Sequence, residues 1–161
     1  MHSDSSGAGT SLPDRNKAIV RRLVEEWQTG HRREVGEELL ADDFVDSAHP
    51  TGPGTPKDRA LDWWDGTFRA FPDLSAEIRH MVAQGDLVAT YKTFTGTHAG
   101  AFMGIPATDR RASFDAFDLL RLRGGKVVDH WVVMDAAGLL RQLGVMPPMG
   151  AGERRGPEPA S

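Results

Sequence analysis

The hydrophobic period of this chain changes once, close to the middle of the sequence. In the first half, apolar residues recur at the i, i+3/i+4 spacing of an amphipathic helix. The clearest set is Ile19, Val20, Leu23, Val24 and Trp27. From Leu74 to Val82 the period becomes two, which is typical of a half-buried strand. Helices followed by strands indicate an α+β fold, in which the helices cover one face of a sheet, and not a doubly wound parallel sheet.

Capping and stop residues divide the helical part. The first helix ends at Gly30, and the second covers 33–40. The third covers 56–71 with Thr55 as its N-cap, and a short last helix covers about 136–143. We therefore expect three N-terminal helices and one short C-terminal helix.

The strands follow one another as a meander. They are expected at 74–82, 87–97, 111–123 and 126–134, and a short strand or turn is expected at 44–45. Glycine-containing turns join most of these strands, and a long loop separates the second from the third. Consecutive strands joined in this way form an antiparallel sheet. On its first strand, the alternation places His80 on the apolar side, as a core histidine.

The two ends of the chain are unlike its middle. Residues 1–12 are rich in serine and glycine, and residues 146–161 are rich in proline and glycine. Such segments bury too little apolar surface to offset the entropy lost on ordering, so we predict two disordered tails. The remaining 13–145, out of 161 residues, suits one domain.

Composition narrows the range of functions. The chain has no cysteine, which excludes disulfides, thiolate metal sites and a cysteine nucleophile. Its formal net charge of -4 argues against nucleic-acid binding. No apolar run reaches the ~20 residues that span a bilayer, and the start lacks the features of a signal peptide. We expect a cytoplasmic protein without membrane contact.

Known cofactor and metal motifs are missing. The sequence contains neither a glycine-rich dinucleotide loop nor a P-loop, and no zinc-binding histidine pair. Its histidines at 49, 80, 98 and 130 are scattered. We therefore expect no cofactor and no metal, which leaves chemistry carried by side chains, or simple binding.

Three segments carry a resemblance to a known family. They are GTHAGAFMGIPATDRR at 96–111, GKVVDHW at 125–131 and DAAGLLRQLG at 135–144. With FPDL at 71–74, they make the chain resemble the SnoaL-like polyketide cyclases over about 14–144. The resemblance implies the cone-shaped fold of nuclear transport factor 2, ketosteroid isomerase and scytalone dehydratase, in which a curved antiparallel sheet encloses one hydrophobic pocket. It also implies a homodimer packed through the outer sheet face.

The last hairpin decides which side chains enter that pocket. A two-residue turn pairs Arg123 with Lys126, whereas a three-residue loop pairs Leu122 with Lys126. We favour the second register, because it places Asp118 directly opposite His130 and so joins two titratable groups that are costly to bury separately. The shared face is Phe114, Ala116, Asp118, Leu120, Val128, His130, Val132 and Met134. The opposite face includes Phe117 and Trp131, which suit a dimer interface.

An Asp–His pair beneath an apolar pocket is suited to acid/base catalysis. The resemblance places pocket residues at Asp46, Asp118 and His130, which we take as the catalytic candidates. The polyketide cyclases carry a catalytic aspartate two residues after the aligned His130, where this chain has Val132. Asp118 then either takes over proton transfer or serves different chemistry. The alternative is a polar pair that only holds the hairpin together.

Further candidates line the predicted pocket. Lys92 is an ammonium that, facing inward, would polarise a carbonyl or pair with Asp118; one of Tyr91 and Lys92 faces inward. Trp63 and Trp64 point about 100° apart on their helix, so that one packs the core and the other lines the cavity. His98 is expected to be structural. The substrate-binding candidates are Lys92, Trp64, Tyr91, Val132, His49, Phe114 and Met134.

The leading hypothesis is a cofactor-independent cyclase or isomerase that acts on a polyketide-like hydrophobic molecule in secondary metabolism. It would work by enolisation or by templated ring closure. The alternatives are an epoxide-type hydrolase in the same pocket and a non-catalytic accessory protein that binds a small molecule, because one fold serves many functions.

Overall fold

The computed structural model describes residues 9–48 and 51–147. The predicted tails lie outside these residues except for 9–12 and 146–147, and the first helix begins at Leu12, the last residue of the predicted N-terminal tail. Within the described part, no helix is both long enough and apolar enough to cross a membrane.

Helices and strands follow the expected order. The helices are α1 (Leu12–Arg22), α2 (Arg33–Leu39), α3 (Pro56–Ala70) and α4 (Ala136–Gln142). The strands are β1 (Leu40–Asp46), β2 (Ser75–Gln84), β3 (Leu87–Thr97), β4 (Arg111–Arg123) and β5 (Lys126–Met134). Thr55 caps α3 in a reciprocal capping box with Asp58, and Asp135 caps α4.

The first helix changes its winding before it ends. From Leu23 to Thr29 it continues as a π-helix, which we call the π segment. A π-helix has wider turns than an α-helix and is frequent at functional sites. Here it brings Trp27 and Gln28, both buried, to the inner face of the sheet.

All five strands form one sheet in the order β1-β5-β4-β3-β2. Strands β2 to β5 are an antiparallel meander, as predicted. The sheet is mixed, however, because β1 is a full strand of seven residues that pairs in parallel with β5. The structure therefore corrects two expectations. A full strand replaces the short strand or turn expected at 44–45, and the sheet is not wholly antiparallel. The parallel pairing places Asp46 beside His130.

The predicted register of the β4–β5 hairpin is wrong. Arg123 pairs with Lys126 across a two-residue turn, in which both Gly124 and Gly125 have positive φ. A bulge at Val128 then shifts the pairing by one residue, so that Asp118 lies opposite Val132 and Leu120 opposite His130. The bulge returns residues 118 and 130 to the same face of the sheet. Their predicted proximity therefore survives, as a diagonal contact.

A second bulge, in the middle of β2, reverses which side chains of the second half of this strand face the core. Ile78 pairs with Lys92, but His80 pairs with Tyr91, which leaves Arg79 as the extra residue. Beyond this point Met81 and Ala83 pack on the core, while Val82 is exposed. His80 stacks against Tyr91 on the outer face, and its assignment as a core histidine is therefore wrong.

The helices cover only the inner face of the sheet. The π segment, α2 and α3 bury one apolar cluster with β3, β4 and β5, and α4 closes a second cluster around Phe71 and Phe94. Phe117 and Trp131 lie on the outer face, where they remain exposed as expected.

Candidate functional site

A row of polar side chains crosses four neighbouring strands on the buried inner face. The Lys92 ammonium of β3 lies 2.5 Å from Oδ2 of Asp118 on β4. The other carboxylate oxygen, Oδ1, lies 2.8 Å from Nε2 of His130 on β5. Nδ1 of His130 lies 3.3 Å from Oδ1 of Asp46 on β1. We call these four residues the ionic row.

Two further residues fix the row from its β3 side. Nζ of Lys92 donates to Oε1 of Gln28 at 2.8 Å, which ties the sheet to the π segment. The Thr90 hydroxyl donates to Oδ2 of Asp118 at 3.2 Å. Lys92 is only 2% exposed and Asp118 5%. Buried charges need such partners, because removing an ion from water costs on the order of several kcal/mol when no partner compensates for it.

The geometry makes His130 an imidazolium. Each of its ring nitrogens faces a carboxylate oxygen, and an ionised carboxylate only accepts hydrogen bonds. Both nitrogens must therefore carry hydrogen. Burial by itself would lower the pKa of His130, but the hydrogen bonds to Asp118 and Asp46 outweigh it and raise the pKa to about 9.

Asp118 is held as a carboxylate. Burial alone would raise its pKa, but the charge of Lys92 and the hydrogen bond from His130 outweigh that effect. Together they keep the pKa of this carboxyl well below its usual range. The row thus sets the ammonium of Lys92 and the imidazolium of His130 on either side of the Asp118 carboxylate, and Asp46 also accepts a hydrogen bond from the backbone N–H of Ala48.

The ionic row faces an apolar space. The larger of two internal cavities has a volume of about 110 Å³, and the smaller, of about 20 Å³, lies towards α1 and the π segment. Both cavities share Gln28, Trp64, Lys92, Asp118 and His130. Aromatic and aliphatic side chains form most of the larger cavity's other walls. A few convergent polar groups in such a wall are the usual composition of a small-molecule site.

Most candidates from the sequence lie at this cavity. Trp64, Phe114, Val132 and Met134 line it, and their role in substrate binding stays a prediction. Trp63, the neighbour of Trp64, lines it as well, so the expected division between core and cavity does not separate the two indoles. The inward position of Lys92 agrees with the expected pairing with Asp118.

Tyr91 and His49 are the two substrate-binding candidates that remain. Tyr91 points to the outer face, where its hydroxyl donates to Asp115 at 2.6 Å and its ring stacks on Phe117. Its prediction as a cavity residue is wrong, since side chains alternate along β3 and Lys92 takes the inner face. His49 lies outside the described residues.

His98 has a position in keeping with the structural role expected of it. Its side chain is fully buried, stacks on Phe71, and has Nδ1 3.0 Å from the Thr108 hydroxyl. Among the described residues, no group of three or more histidines and acidic side chains is placed to hold a metal ion.

Sequence reasoning missed Gln28 and Thr90. Gln28 follows Val24 by four residues and so lies on the apolar stripe of the first helix, where a polar side chain signals a buried partner. Thr90 lies two residues from Lys92 on the same strand and therefore on the same face. The contact of Asp46 with His130 had no such signal, because it arises from the parallel pairing of β1 with β5.

Comparison with known sequences gives consistent matches. The family model of the SnoaL-like polyketide cyclases matches residues 17–143. The chain is 35% identical over 127 residues to nogalonic acid methyl ester cyclase of Streptomyces nogalater, which covers 76% of this chain and 92% of that protein. It is 32% identical over 145 residues to aklanonic acid methyl ester cyclase DauD of Streptomyces sp. strain C5, covering 88% and 89%.

Solved structures are similar over the same region. AclR of Streptomyces galilaeus, described as a proposed hydroxylase, superposes with a TM-score of 0.75 at 31% identity and covers 84% of this chain and 89% of its own. IdmH of Streptomyces antibioticus, described as a proposed polyketide cyclase, gives a TM-score of 0.68 at 35% identity, with 81% and 99% covered.

Proposed function

The chain belongs to the SnoaL-like polyketide cyclase family, and on that premise we propose that it is an enzyme that closes a ring in a polyketide methyl ester without a cofactor. The observation that carries this proposal is the ionic row facing an apolar cavity. We place the reaction in antibiotic-type secondary metabolism, as a lyase or isomerase step, and the protein in the cytoplasm.

Ring closure of this kind requires an enolate. A carbon between carbonyl groups loses a proton, and the resulting carbanion attacks a second carbonyl of the same molecule. Lys92 and His130 supply two positive charges where the enolate oxygen would lie, and a low-dielectric site strengthens that attraction. The product is an isomer of the substrate, because the proton that is removed returns to the new alkoxide.

Asp118 is the proton acceptor in this proposal. In the free protein the two cations hold its pKa low, which makes it a weak base. A forming enolate shares those cations and brings a negative charge close to the carboxylate, and both effects raise the pKa of Asp118 as the proton is transferred. Asp46 does not line the larger cavity, and it acts by keeping His130 protonated.

The missing aspartate at position 132 is consistent with this role. The resemblance places a catalytic carboxylate where this chain has Val132. Val132 and Asp118 are direct cross-strand partners, and their side chains therefore share the inner face. The carboxylate comes from the neighbouring strand instead, at the same end of the cavity.

Conversion of the relatives' substrates tests the proposal. We expect the wild-type protein to convert aklanonic or nogalonic acid methyl ester, followed by absorbance and mass spectrometry, into a product of the same mass. Gain of one water would identify the epoxide-type hydrolase, and gain of one oxygen atom a hydroxylase. Tight retention of unchanged substrate would identify a binding protein. Each of these three results contradicts ring closure.

We further propose that the protein is a homodimer that packs through the outer sheet face. Six apolar residues of this face are exposed: Val45, Val82, Phe117, Leu119, Trp131 and Val133. Val133 is 76% exposed, and its cross-strand partner Phe117 is 59% exposed and stacks on Tyr91 at 4.6 Å. A contiguous apolar surface of this kind on one side of a sheet is typical of a protein–protein interface.

Charge on this face should separate the subunits. We expect Phe117→Asp to weaken dimerisation at least about tenfold, because an aspartate at the centre of an apolar interface has no partner. Leu12→Asp, which places the same charge on an exposed apolar residue of α1, is the control and should leave the dimer intact. Sedimentation equilibrium measures both. A wild-type monomer, or equal dissociation constants for the wild type and Phe117→Asp, would refute the interface.

A further inference from the structure

We propose that a groove on the surface beside the larger cavity is a second substrate subsite, which binds the uncharged apolar part of a substrate too large for the cavity alone. We call it the outer groove, and it is lined by Asp62, Trp63, Gly66, Thr67, Phe102 and Met103. This inference rests on the proposed function, since it concerns the substrate of the same site.

The size of the cavity requires additional space. Its volume is about 110 Å³, whereas sites for molecules of several rings measure roughly 300–1,000 Å³. The outer groove offers a further 180 Å³ or so. The two spaces together approach the lower end of the usual range, so a multi-ring ester occupies both.

The two spaces share a wall. Trp63, Thr67 and Phe102 line the cavity on one side and the outer groove on the other. The rings of Trp63 and Phe102 lie 5.7 Å apart at an angle of 58°. The shared residues place the outer groove directly beside the cavity, and the faces of these two rings suit a flat, unsaturated ring system.

The groove is preformed, because its loop is fixed to α3. The backbone N–H groups of Ala99 and Gly100 both donate to the carbonyl of Ala70, at 2.9 and 3.1 Å. A Cβ at Gly100 would lie 2.7 Å from the Arg69 carbonyl oxygen, so the close approach requires glycine. Further along, Phe102 and Ile105 exchange two backbone hydrogen bonds, which hold Phe102 in place.

The lining determines what the outer groove accepts. Among the residues that the structure describes, it contains one carboxylate, Asp62, and no lysine, arginine or histidine. The Asp62 carboxylate accepts a hydrogen bond from Arg33 at 3.3 Å on the side of α2. The other described lining residues, such as Trp63, Phe102 and Met103, offer apolar surface, which an ester or alkyl group fills better than a free carboxylate, whose burial needs a charged partner.

Filling the groove tests the inference. A Cβ at Gly66 meets only Nη2 of Arg69, at 3.8 Å, so a leucine at this position occupies the outer groove without disturbing α3. We expect Gly66→Leu to raise the KM for aklanonic acid methyl ester at least about tenfold. Ethyl acetoacetate, which fits the cavity alone, serves as the small reference substrate, and its reaction is deuterium exchange. The kcat/KM for the aklanonic ester, divided by the kcat/KM for this exchange, should fall by the same factor. Ala18→Leu, which adds an exposed leucine to α1, is the control.

A binding measurement separates this inference from the proposed function. Methyl anthraquinone-2-carboxylate should quench tryptophan fluorescence of the wild-type protein and bind at least about tenfold more weakly to Gly66→Leu, whether or not any substrate is converted. Tighter binding of this ester than of the corresponding free acid would support an uncharged occupant. Equal affinity of the wild type and Gly66→Leu for the ester would overturn the subsite, even if ring closure is observed.

Discussion

Replacing Lys92 by methionine is expected to lower the free energy of unfolding by about 3–5 kcal/mol, the usual cost of removing one partner of a buried ion pair. Methionine fills nearly the same volume, so the loss reflects charge and not packing. The Asp118 carboxylate would then remain buried with one cation fewer, and Gln28 would lose its donor. Urea unfolding followed by circular dichroism measures the change.

The same substitution at an exposed ion pair is the control. Lys57 pairs with Asp42, whose side chain is fully exposed, and Lys57→Met should cost less than about 1 kcal/mol. The double variant Lys92→Met/Asp118→Leu removes both charges and should recover much of the stability, but no activity. A cost below about 1 kcal/mol for Lys92→Met alone would contradict the role of Lys92 as the counterion of Asp118.

Lys92→Met should also reduce catalysis. Removing one donor to a developing oxyanion typically lowers kcat by about 10²–10³-fold. We expect a loss of this size for ring closure, measured at a temperature where the variant is still folded. An unchanged kcat would leave Lys92 with a structural role only.

Stability should fall as the pH rises towards 9. The pKa of His130 is about 9 in the folded protein and 6.5 for the ordinary side chain. Below pH 6.5 the folded and unfolded states both hold the proton, and its stabilising contribution is complete. Between pH 6.5 and 9 only the folded state keeps the proton, so stability decreases, and above about pH 9 the contribution is lost.

The magnitude follows from the size of the shift. Each pKa unit corresponds to about 1.4 kcal/mol, so this shift is worth on the order of 3 kcal/mol. The side chain of His130 is only 13% exposed, which limits screening by solvent. Urea unfolding from pH 6 to 9 measures the decrease, and His130→Gln, which cannot titrate in this range, should lack it. A decrease of equal size in His130→Gln would assign it to another group.

The order of elements could be predicted because it depends on local signals. The change of period, the Thr55 and Asp135 caps and the Gly124-Gly125 turn each act within a few residues. The two bulges could not be predicted in this way. One extra residue at Arg79 or Val128 leaves the local hydrophobic pattern almost unchanged but reverses which side chains face the core, and packing against the helices decides it.

The candidate site was predictable to the extent that it lies on neighbouring antiparallel strands. Asp118 and His130 share a face in the expected register, and in the observed one they do so because the bulge at Val128 offsets the different turn. The sequence did not show whether Tyr91 or Lys92 faces the cavity, because it did not show which face of β3 is the inner one. The position of Gln28 on the apolar stripe was a local signal that went unused, whereas the contact of Asp46 depends on the parallel pairing of β1 with β5, which nearby residues do not encode.

The central claim is that the ionic row removes a proton from the substrate and stabilises the resulting enolate in the apolar cavity. Deuterium exchange tests it most directly, with an analogue of aklanonic acid methyl ester that keeps the acidic carbon but lacks the carbonyl that the enolate attacks. In D₂O, the wild-type protein should incorporate deuterium at that carbon, and Asp118→Asn should slow the exchange about 10²–10⁴-fold, the range for loss of a general base. The claim would be contradicted if the wild-type protein closed the ring of the full substrate but incorporated no deuterium into the analogue, and if Asp118→Asn closed the ring at the wild-type rate.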